Sequence, residues 1–194
     1  MSNARRFFSI VSSMGIAAGL IVFAPGLFAQ VSATEDGEVS GYGGGTFGAG
    51  AHALVGGGSG FGFSRHGMAF LEGSYSPMGN DILWQRHDVQ SPRDSHLFDV
   101  MVSAHIRFPI RDRWAPYALI GGGLAFNTFR AYAGPEGALI RIEDFKLAFQ
   151  TGGGVRYYVR ENWGVRPEFK VIVSSRTYTR ASIGVFYTLP PNWP

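Results

Sequence analysis

Long stretches of this sequence alternate apolar and polar residues with a period of two. The clearest stretch runs from residue 96 to 108, where Phe98, Val100 and Val102 alternate with Asp99 and Ser103. Successive side chains of a β-strand point to opposite faces of the sheet, so the pattern predicts strands with one apolar and one polar face. After the N-terminal segment, no run approaches the roughly 20 apolar residues that a membrane helix needs. The pattern therefore predicts a sheet rather than a helical bundle.

The alternation and the turn residues together predict about eight antiparallel strands, the smallest size of a closed outer-membrane barrel. Their expected ranges are 38–48, 51–65, 67–76, 96–109, 114–128, 138–160, 162–175 and 178–189. The first two strands are the least regular, because the glycine triplets 43–45 and 56–58 dilute the alternation. Glycine there either lets a small barrel bend and close or marks bulges.

The polar face of these strands carries charges of both signs near the strand centres. Its predicted members are Glu72, Asp99, His105, Arg107, Lys146, Arg156, Arg166, Glu168 and Lys170. The opposite face is almost entirely apolar. Its predicted members are Phe98, Val100, Val102, Ile106, Phe145, Leu147, Phe149, Val155, Tyr157, Val165, Phe169, Val171, Ile183, Val185 and Tyr187. In a soluble sheet the apolar face is inside, whereas in an outer-membrane barrel it faces lipid and the charges face the lumen.

Two observations favour the lipid-facing arrangement. The apolar face continues along whole strands of about ten residues, which is the length of a tilted bilayer crossing. The aromatic residues Phe108, Trp114 and Trp163 lie beside short turns, where a girdle would meet the membrane interface. In lipid every backbone N–H and C=O needs a partner, so such strands must close on themselves. We therefore predict an all-β, up-and-down transmembrane barrel with a polar network in its lumen.

The predicted connections differ in length. Those at 65–67, 110–113 and 161–162 are tight, whereas those at 77–95 and 131–137 are longer and rich in Pro, Gly and charge. Short periplasmic turns and longer outer loops are typical of outer-membrane barrels. The first outer loop, near 48–50, is unusually short. Any extracellular ligand is expected to bind the loops near 77–95 and 129–137.

The N-terminal segment predicts export. Arg5 and Arg6 precede an apolar stretch at about 10–28, and Ala29 offers a small residue at a cleavage site. This order is typical of a secretory signal peptide, which divides the chain into a signal at 1–29 and a barrel domain at 30–194. A second cleavage site follows 31–33. An uncleaved membrane anchor is the alternative, although a proline and a glycine near the end of the stretch disfavour it.

Composition excludes several classes of protein. The absence of cysteine rules out a disulfide scaffold, a thiolate metal site and a cysteine nucleophile. The formal net charge is +3, but the basic residues are scattered rather than clustered, so no nucleic-acid partner is expected.

The sequence offers no convincing catalytic or metal-binding set. The compact group Asp94, Ser95 and His96 lies at a strand end, where adjacent side chains point to opposite faces and cannot form a nucleophile–base pair. None of the five histidines has the close spacing of a metal pair, and no loop has the ligand spacing of a calcium site. We therefore predict no catalytic residue, no cofactor and no metal.

Four segments resemble the OmpA-type family of small outer-membrane β-barrels. They are the Pro-Tyr strand with spaced glycines at 116–126, the strand–turn–strand segments 152–159 and 162–169, and the closing strand at 183–187. The resemblance implies an outer-membrane location, contact with outer-membrane lipids and lipopolysaccharide, insertion by the barrel-insertion machinery and a monomeric state. The C-terminus departs from the family, whose members usually end on an aromatic residue. Here two prolines follow Leu189, so Tyr187 or Trp193 would have to serve as the insertion signal.

Three hypotheses of function follow. The first is a non-enzymatic barrel with a structural or surface-contact role. Its narrow lumen would be filled by side chains, which limits porin-like permeation to very small species. The second is a lipid-modifying barrel enzyme. The third is a soluble periplasmic β-barrel that binds a small apolar ligand.

Overall fold

Eight antiparallel strands close into one barrel in the computed structural model of the chain. The structure describes residues 37–64, 66–83, 90–108, 113–133 and 138–189. The strands are β1 (Gly37–Phe47), β2 (Ala51–Gly62), β3 (Gly67–Gly79), β4 (Gln90–Arg107), β5 (Trp114–Ala133), β6 (Ala138–Tyr158), β7 (Trp163–Val173) and β8 (Thr177–Leu189). The prediction of an eight-stranded antiparallel barrel is thus confirmed. The predicted signal peptide at 1–29 and the C-terminal residues 190–194 lie outside the described residues.

Each strand pairs with its neighbours in sequence, and β1 closes the barrel against β8. The closing register runs from Gly37 opposite Leu189 to Phe47 opposite Thr179. The glycine triplets belong to strands rather than to loops, since Gly44 pairs with Leu54 and Gly57 with Gly41 in the β1–β2 ladder. Every strand therefore has a hydrogen-bonding partner on both sides over the central part of the barrel, as a bilayer requires.

The strands β4 and β5 are longer than predicted at their loop ends, whereas β6 begins at Ala138 as predicted. The β5–β6 hairpin continues through Phe129 opposite Ile142 to Ala133 opposite Ala138. Pairing between β6 and β7, by contrast, ends at Phe149 opposite Val173. A three-stranded extension, made of residues 90–95, 127–133 and 138–148, therefore continues beyond the closed part of the barrel. The alternation of apolar and polar residues weakens in this extension, because the extension lies beyond the apolar part of the barrel's outer surface.

The two ends of the barrel differ. One end has the connections 63–66, 108–113 and 159–162, and the other has 48–50, 80–89, 134–137 and 174–176. The very short first loop is as predicted. No helix within the described ranges is long and apolar enough to cross a membrane. The inward side chains of all strands fill the space that the barrel encloses, and this interior is the first candidate for function.

Candidate functional site

Within the part of the chain that the structure describes, eight charged side chains are buried inside the barrel. Four are acidic and four are basic, so their formal charges cancel: Glu38, Glu72, Asp99 and Glu168 against Arg156, Arg166, Lys170 and Arg180. They come from β1, β3, β4, β6, β7 and β8, and inward alternation on each strand aims them at the barrel axis. A buried charge is tolerated only when it is paired and hydrogen-bonded, so the way these groups pair decides whether the interior is stable.

Arg166 lies at the centre of this network and contacts three carboxylates. Its Nη1 lies 2.9 Å from Glu38 Oε1, its Nη2 lies 3.3 Å from Glu72 Oε1, and its Nε lies 3.8 Å from Glu168 Oε2. The Lys170 ammonium bridges the latter two carboxylates, at 2.7 Å from Glu72 and 2.8 Å from Glu168. Arg166, Lys170, Glu72 and Glu168 thus form one connected set in which each charge has two opposite neighbours.

A stack of rings extends the network toward the short-turn end. The His105 ring lies between those of Phe70 and Tyr117, with centroid distances of 4.4 and 5.0 Å. Arg156 covers the Tyr117 ring at 4.3 Å and donates from Nε to Glu38 at 3.0 Å. The Tyr117 hydroxyl in turn donates to Glu168. The arginine is thus held by one carboxylate and by aromatic faces.

A second ion pair lies toward the loop end of the lumen. Arg180 forms a two-pronged contact with the Asp99 carboxylate, which also accepts a hydrogen bond from Ser74 at 3.0 Å. Above it, buried apolar side chains cluster across the outer mouth. They are Met78, Leu83, Leu97, Met101, Ala125, Ala148, Ile172 and Tyr178. The lumen is therefore filled by an apolar layer over a charged one, as expected for a barrel of this size.

Most of the residues predicted for the lumen network belong to this cluster, but two do not. Arg107 is half-buried at the end of β4, where its Nη2 lies 3.5 Å from the Ser64 carbonyl oxygen. Lys146 is 40% exposed and pairs with Asp144, because it lies beyond the last β6–β7 pair. Both residues alternate in phase with the inward-facing side chains of their strands, as the sequence predicts. They lie near strand ends, however, where the barrel is no longer closed around them.

Three members of the network were not predicted from the sequence. Glu38 lies on β1, where glycine hides the alternation, and nothing in the sequence marks it as inward. Tyr117 lies at an inward position in the alternation of β5, but an aromatic side chain there does not indicate membership of a polar network. Arg180 lies on the polar face of the last predicted strand, and that alternation is the signal that could have found it.

The exterior is apolar and shows two rows of aromatic residues. None of the residues predicted to face lipid is buried, and Phe145, Leu147 and Phe149 are 67, 69 and 65% exposed. Their contact with lipid stays a prediction. At the loop end, the ring of Phe126 lies 6.2 Å from that of Phe98 and 6.4 Å from that of Phe145, in one row across three strands.

The second aromatic row lies at the short-turn end. The rings of Trp114 and Tyr157 are 4.6 Å apart, and the predicted interface residues Phe108 and Trp163 are 53 and 37% exposed. From Phe145 to Tyr157, a rise of about 3.3 Å per residue and a tilt of about 40° give a height of roughly 30 Å, close to the thickness of a bilayer core.

Beyond the Phe98–Phe126–Phe145 row, the three-stranded extension carries paired charges and an edge of β6 that no other described strand covers. Arg130 contacts Asp94 at 3.1 Å, and Arg141 contacts Glu143 at 2.9 Å. The Leu147 carbonyl accepts a hydrogen bond from the Ser174 hydroxyl on the β7 side. The N–H and C=O of one residue in an antiparallel strand point to the same side, so those of Leu139, Glu143 and Phe145 also point to the edge that β7 leaves open.

The described residues do not assemble a nucleophile–base pair from the Asp94–Ser95–His96 group. Ser95 is buried and donates to Asn127 at 3.0 Å, whereas His96 lies outside and bonds to Tyr75 at 2.7 Å. Asp94 faces Arg130. The three side chains therefore point to three different partners.

One trio has the spacing of a metal site, but its donor atoms are already used. Oxygen or nitrogen atoms of Glu72, His105 and Glu168 lie within 4.8 Å of one another. Both carboxylates contact Lys170 and Arg166, and the His105 ring nitrogens face Ser103 and Arg156. A divalent cation would place more positive charge beside the Lys170 and Arg166 side chains. The three residues therefore suit a structural ion network better than a metal site.

Comparison with known proteins places this geometry among outer-membrane barrels. Residues 16–188 match the family described as outer membrane protein beta-barrel domain. The fold is similar to a major outer membrane protein of Thermus thermophilus, with a TM-score of 0.60, 9% identity and coverage of 80% of this chain and 100% of that one. No curated protein sequence matches significantly.

Two further solved structures share the fold. Neisserial surface protein A has a TM-score of 0.54 and 14% identity, with coverage of 80% of this chain and 97% of that one. Ail, the attachment invasion locus protein of Yersinia pestis, has a TM-score of 0.53 and 15% identity, with coverage of 80% and 98%. At these identities the likeness concerns the fold alone.

Proposed function

The chain belongs to the outer membrane protein beta-barrel domain family, and on this basis we propose that it is a non-enzymatic surface-contact protein. In this proposal the barrel anchors the chain in the outer membrane, and the free edge of β6 binds an extended polypeptide segment by strand addition. The observation that carries the proposal is the part of β6 at residues 138–148, which pairs with β5 on one side but, among the described residues, with no strand on the other.

The length of this edge supports a binding role. An exposed edge strand is a template for another chain, and proteins usually shorten such edges or cover them. Here the edge spans about ten residues, which is longer than the roughly 5–6 residues of a typical strand. The Arg141–Glu143 pair places charge in its middle, which disfavours indiscriminate aggregation while leaving backbone groups available.

The side chains around the edge supply apolar contact. Leu139 and Ile140 are 50 and 43% exposed beyond the aromatic row, where they cannot be explained by lipid contact. In strand addition, backbone hydrogen bonds give affinity and alternate side chains give selectivity. A partner with apolar residues at alternate positions and charges opposite Arg141 and Glu143 would match this edge.

The interior supports neither transport nor catalysis. The apolar layer around Met101 and Ile172 lies over an ion-paired layer around Arg166, so two layers of side chains would obstruct a solute in the lumen. The Ser95 hydroxyl has no base beside it among the described residues. We further propose export through the signal peptide at 1–29, insertion as a monomer, and contact of the apolar belt with outer-membrane lipids and lipopolysaccharide.

A peptide with the sequence of residues 124–133 is a suitable probe, because that segment already pairs with the opposite edge of β6. We expect labelled peptide to bind the detergent-extracted protein, as measured by fluorescence anisotropy. Glu143→Pro removes an edge N–H without touching the β5 ladder and should weaken binding about tenfold, as expected for one or two lost backbone hydrogen bonds. Glu143→Ala keeps the N–H and should bind nearly as wild type. Equal binding by both variants, or none by wild type, would contradict the proposal.

A further inference from the structure

A cavity opens at the short-turn end of the barrel, opposite the surface just described. Its volume is about 770 Å³, and its lining includes Arg113, Tyr158, Arg160, Glu161, Asn162 and Trp163. The backbone fixes this lining. The Tyr158 N–H donates to the Arg113 carbonyl at 2.9 Å, and the Val159 and Arg160 N–H groups donate to the Trp163 carbonyl at 3.0 and 3.1 Å. The backbone of Arg113 is thereby held beside the end of β6, next to the turn that contains Arg160.

The charged side chains of this cavity differ from the acidic side chains at the loop end. At the loop end, Asp81, Asp94, Glu143 and Asp144 each lie within ion-pair distance of a basic side chain. Within the described part of the chain, neither the Arg113 and Arg160 guanidinium groups nor the Glu161 carboxylate has such a partner in the protein. The cavity therefore presents two cationic groups and one anionic group to a ligand.

The cavity also lies at the level of a membrane interface. Trp163 begins β7 and is paired with Tyr187 in the β7–β8 ladder, and the rings of Trp114 and Tyr157, which contact each other, lie on β5 and β6. Aromatic rings of this kind lie among lipid headgroups. Short turns lie on the periplasmic side of outer-membrane barrels, so the headgroups here belong to phospholipids of the inner-facing leaflet.

We propose that this cavity binds the headgroup of a phospholipid that carries a primary ammonium group. The phosphate would accept hydrogen bonds from Arg113 and Arg160, which suit phosphate because their guanidinium groups offer several donors in one plane. The ammonium would donate to Glu161, which would otherwise repel a purely anionic headgroup. A trimethylated ammonium has no N–H to donate, so a choline headgroup is a poorer match than ethanolamine.

Native mass spectrometry of the detergent-extracted protein tests this proposal. The micelles would contain equal amounts of dioleoyl phosphatidylethanolamine, phosphatidylcholine and phosphatidylglycerol. We expect wild type to retain the ethanolamine lipid about fivefold more than either other lipid, the size of one charge-assisted hydrogen bond at a partly solvated site. Arg160→Gln should reduce this retention to the level of the other lipids. Glu161→Gln should abolish the preference for ethanolamine over choline.

Arg176→Gln, at the opposite end of the barrel, is the matched control and should behave as wild type. Heat-modifiable gel migration checks that each variant is folded, and Arg113→Gln replaces Arg160→Gln if the latter is not. Equal retention of the three lipids by wild type would overturn the proposal. So would a preference for phosphatidylglycerol, or unchanged retention after loss of the arginine.

Discussion

At the scale of single residues, the centre of the barrel depends on Arg166. This buried guanidinium contacts the carboxylates of Glu38, Glu72 and Glu168. Replacing it leaves more negative than positive charge in a region with little water. Breaking a buried ion pair by removing one partner typically costs about 3–5 kcal/mol, roughly the total stability margin of a marginal domain.

We therefore expect Arg166→Met to lower the free energy of unfolding by about 4 kcal/mol, because it removes a cationic partner from buried carboxylates. Urea unfolding in lipid vesicles measures this change. Arg176→Met, at an exposed arginine in the β7–β8 connection, should stay within about 0.5 kcal/mol of wild type. Adding Glu38→Gln to Arg166→Met should recover part of the loss. Equal stability of the two arginine variants would contradict the central role of this network.

Neighbouring glycines on β5 make a second prediction at this scale. A Cβ on inward-facing Gly123 would lie 2.0 Å from the Val100 carbonyl oxygen, a backbone atom that cannot move aside. A Cβ on outward-facing Gly122 would meet Phe149 at 3.4 Å, which is ordinary contact. Gly123→Ala should therefore destabilise by about 2 kcal/mol or more, whereas Gly122→Ala should cost less than about 1 kcal/mol. The same unfolding measurement compares them, and equal costs would contradict the close approach of β4 and β5.

At the scale of strands, the sequence predicted the elements better than their interior contacts. Alternation located β4 to β8 because their inward positions are polar and their outward positions apolar, as in Phe98 beside Asp99. It could not reveal Glu38 as a partner of Arg156 and Arg166, because these residues are more than a hundred positions apart. It also could not reveal that Lys146 lies beyond the closed barrel. Alternation along β6 shows which face a side chain is on, but not where the neighbouring strand β7 ends.

The lipid-facing assignment can be tested on two outward positions of neighbouring strands. Ile120 is 66% exposed and lies midway between Trp114 and Phe126 on β5, whereas Leu139 lies beyond the aromatic row on β6. Arginine at the bilayer midplane costs about 2–4 kcal/mol, and near or beyond the interface about 0–1 kcal/mol. We expect Ile120→Arg and Leu139→Arg to differ by about 2 kcal/mol in vesicles. Equal costs would place the two positions in the same medium and contradict the assignment.

At the scale of the whole molecule, the barrel divides into an anchor and two unlike ends. The eight buried charges of the described residues cancel, so they give the anchor no net internal charge to attract or repel ions. The loop end extends as a strand edge, and the short-turn end carries a cavity with unpaired cations among the described residues. In the two proposals above, recognition belongs to the ends, and the interior is a structural element.

The same division predicts that the protein does not conduct. Purified wild-type protein in a planar bilayer should show no sustained ionic current, because an ion would have to pass both the Leu83–Met101–Ile172 layer and the ion-paired layer around Arg166. The triple variant Leu83→Ala, Met101→Ala and Ile172→Ala removes only the outer layer and should also remain closed. Stepwise currents in wild type would show that the lumen is not filled on the timescale of conduction, whereas currents confined to the triple variant would show that the apolar layer alone closes the barrel.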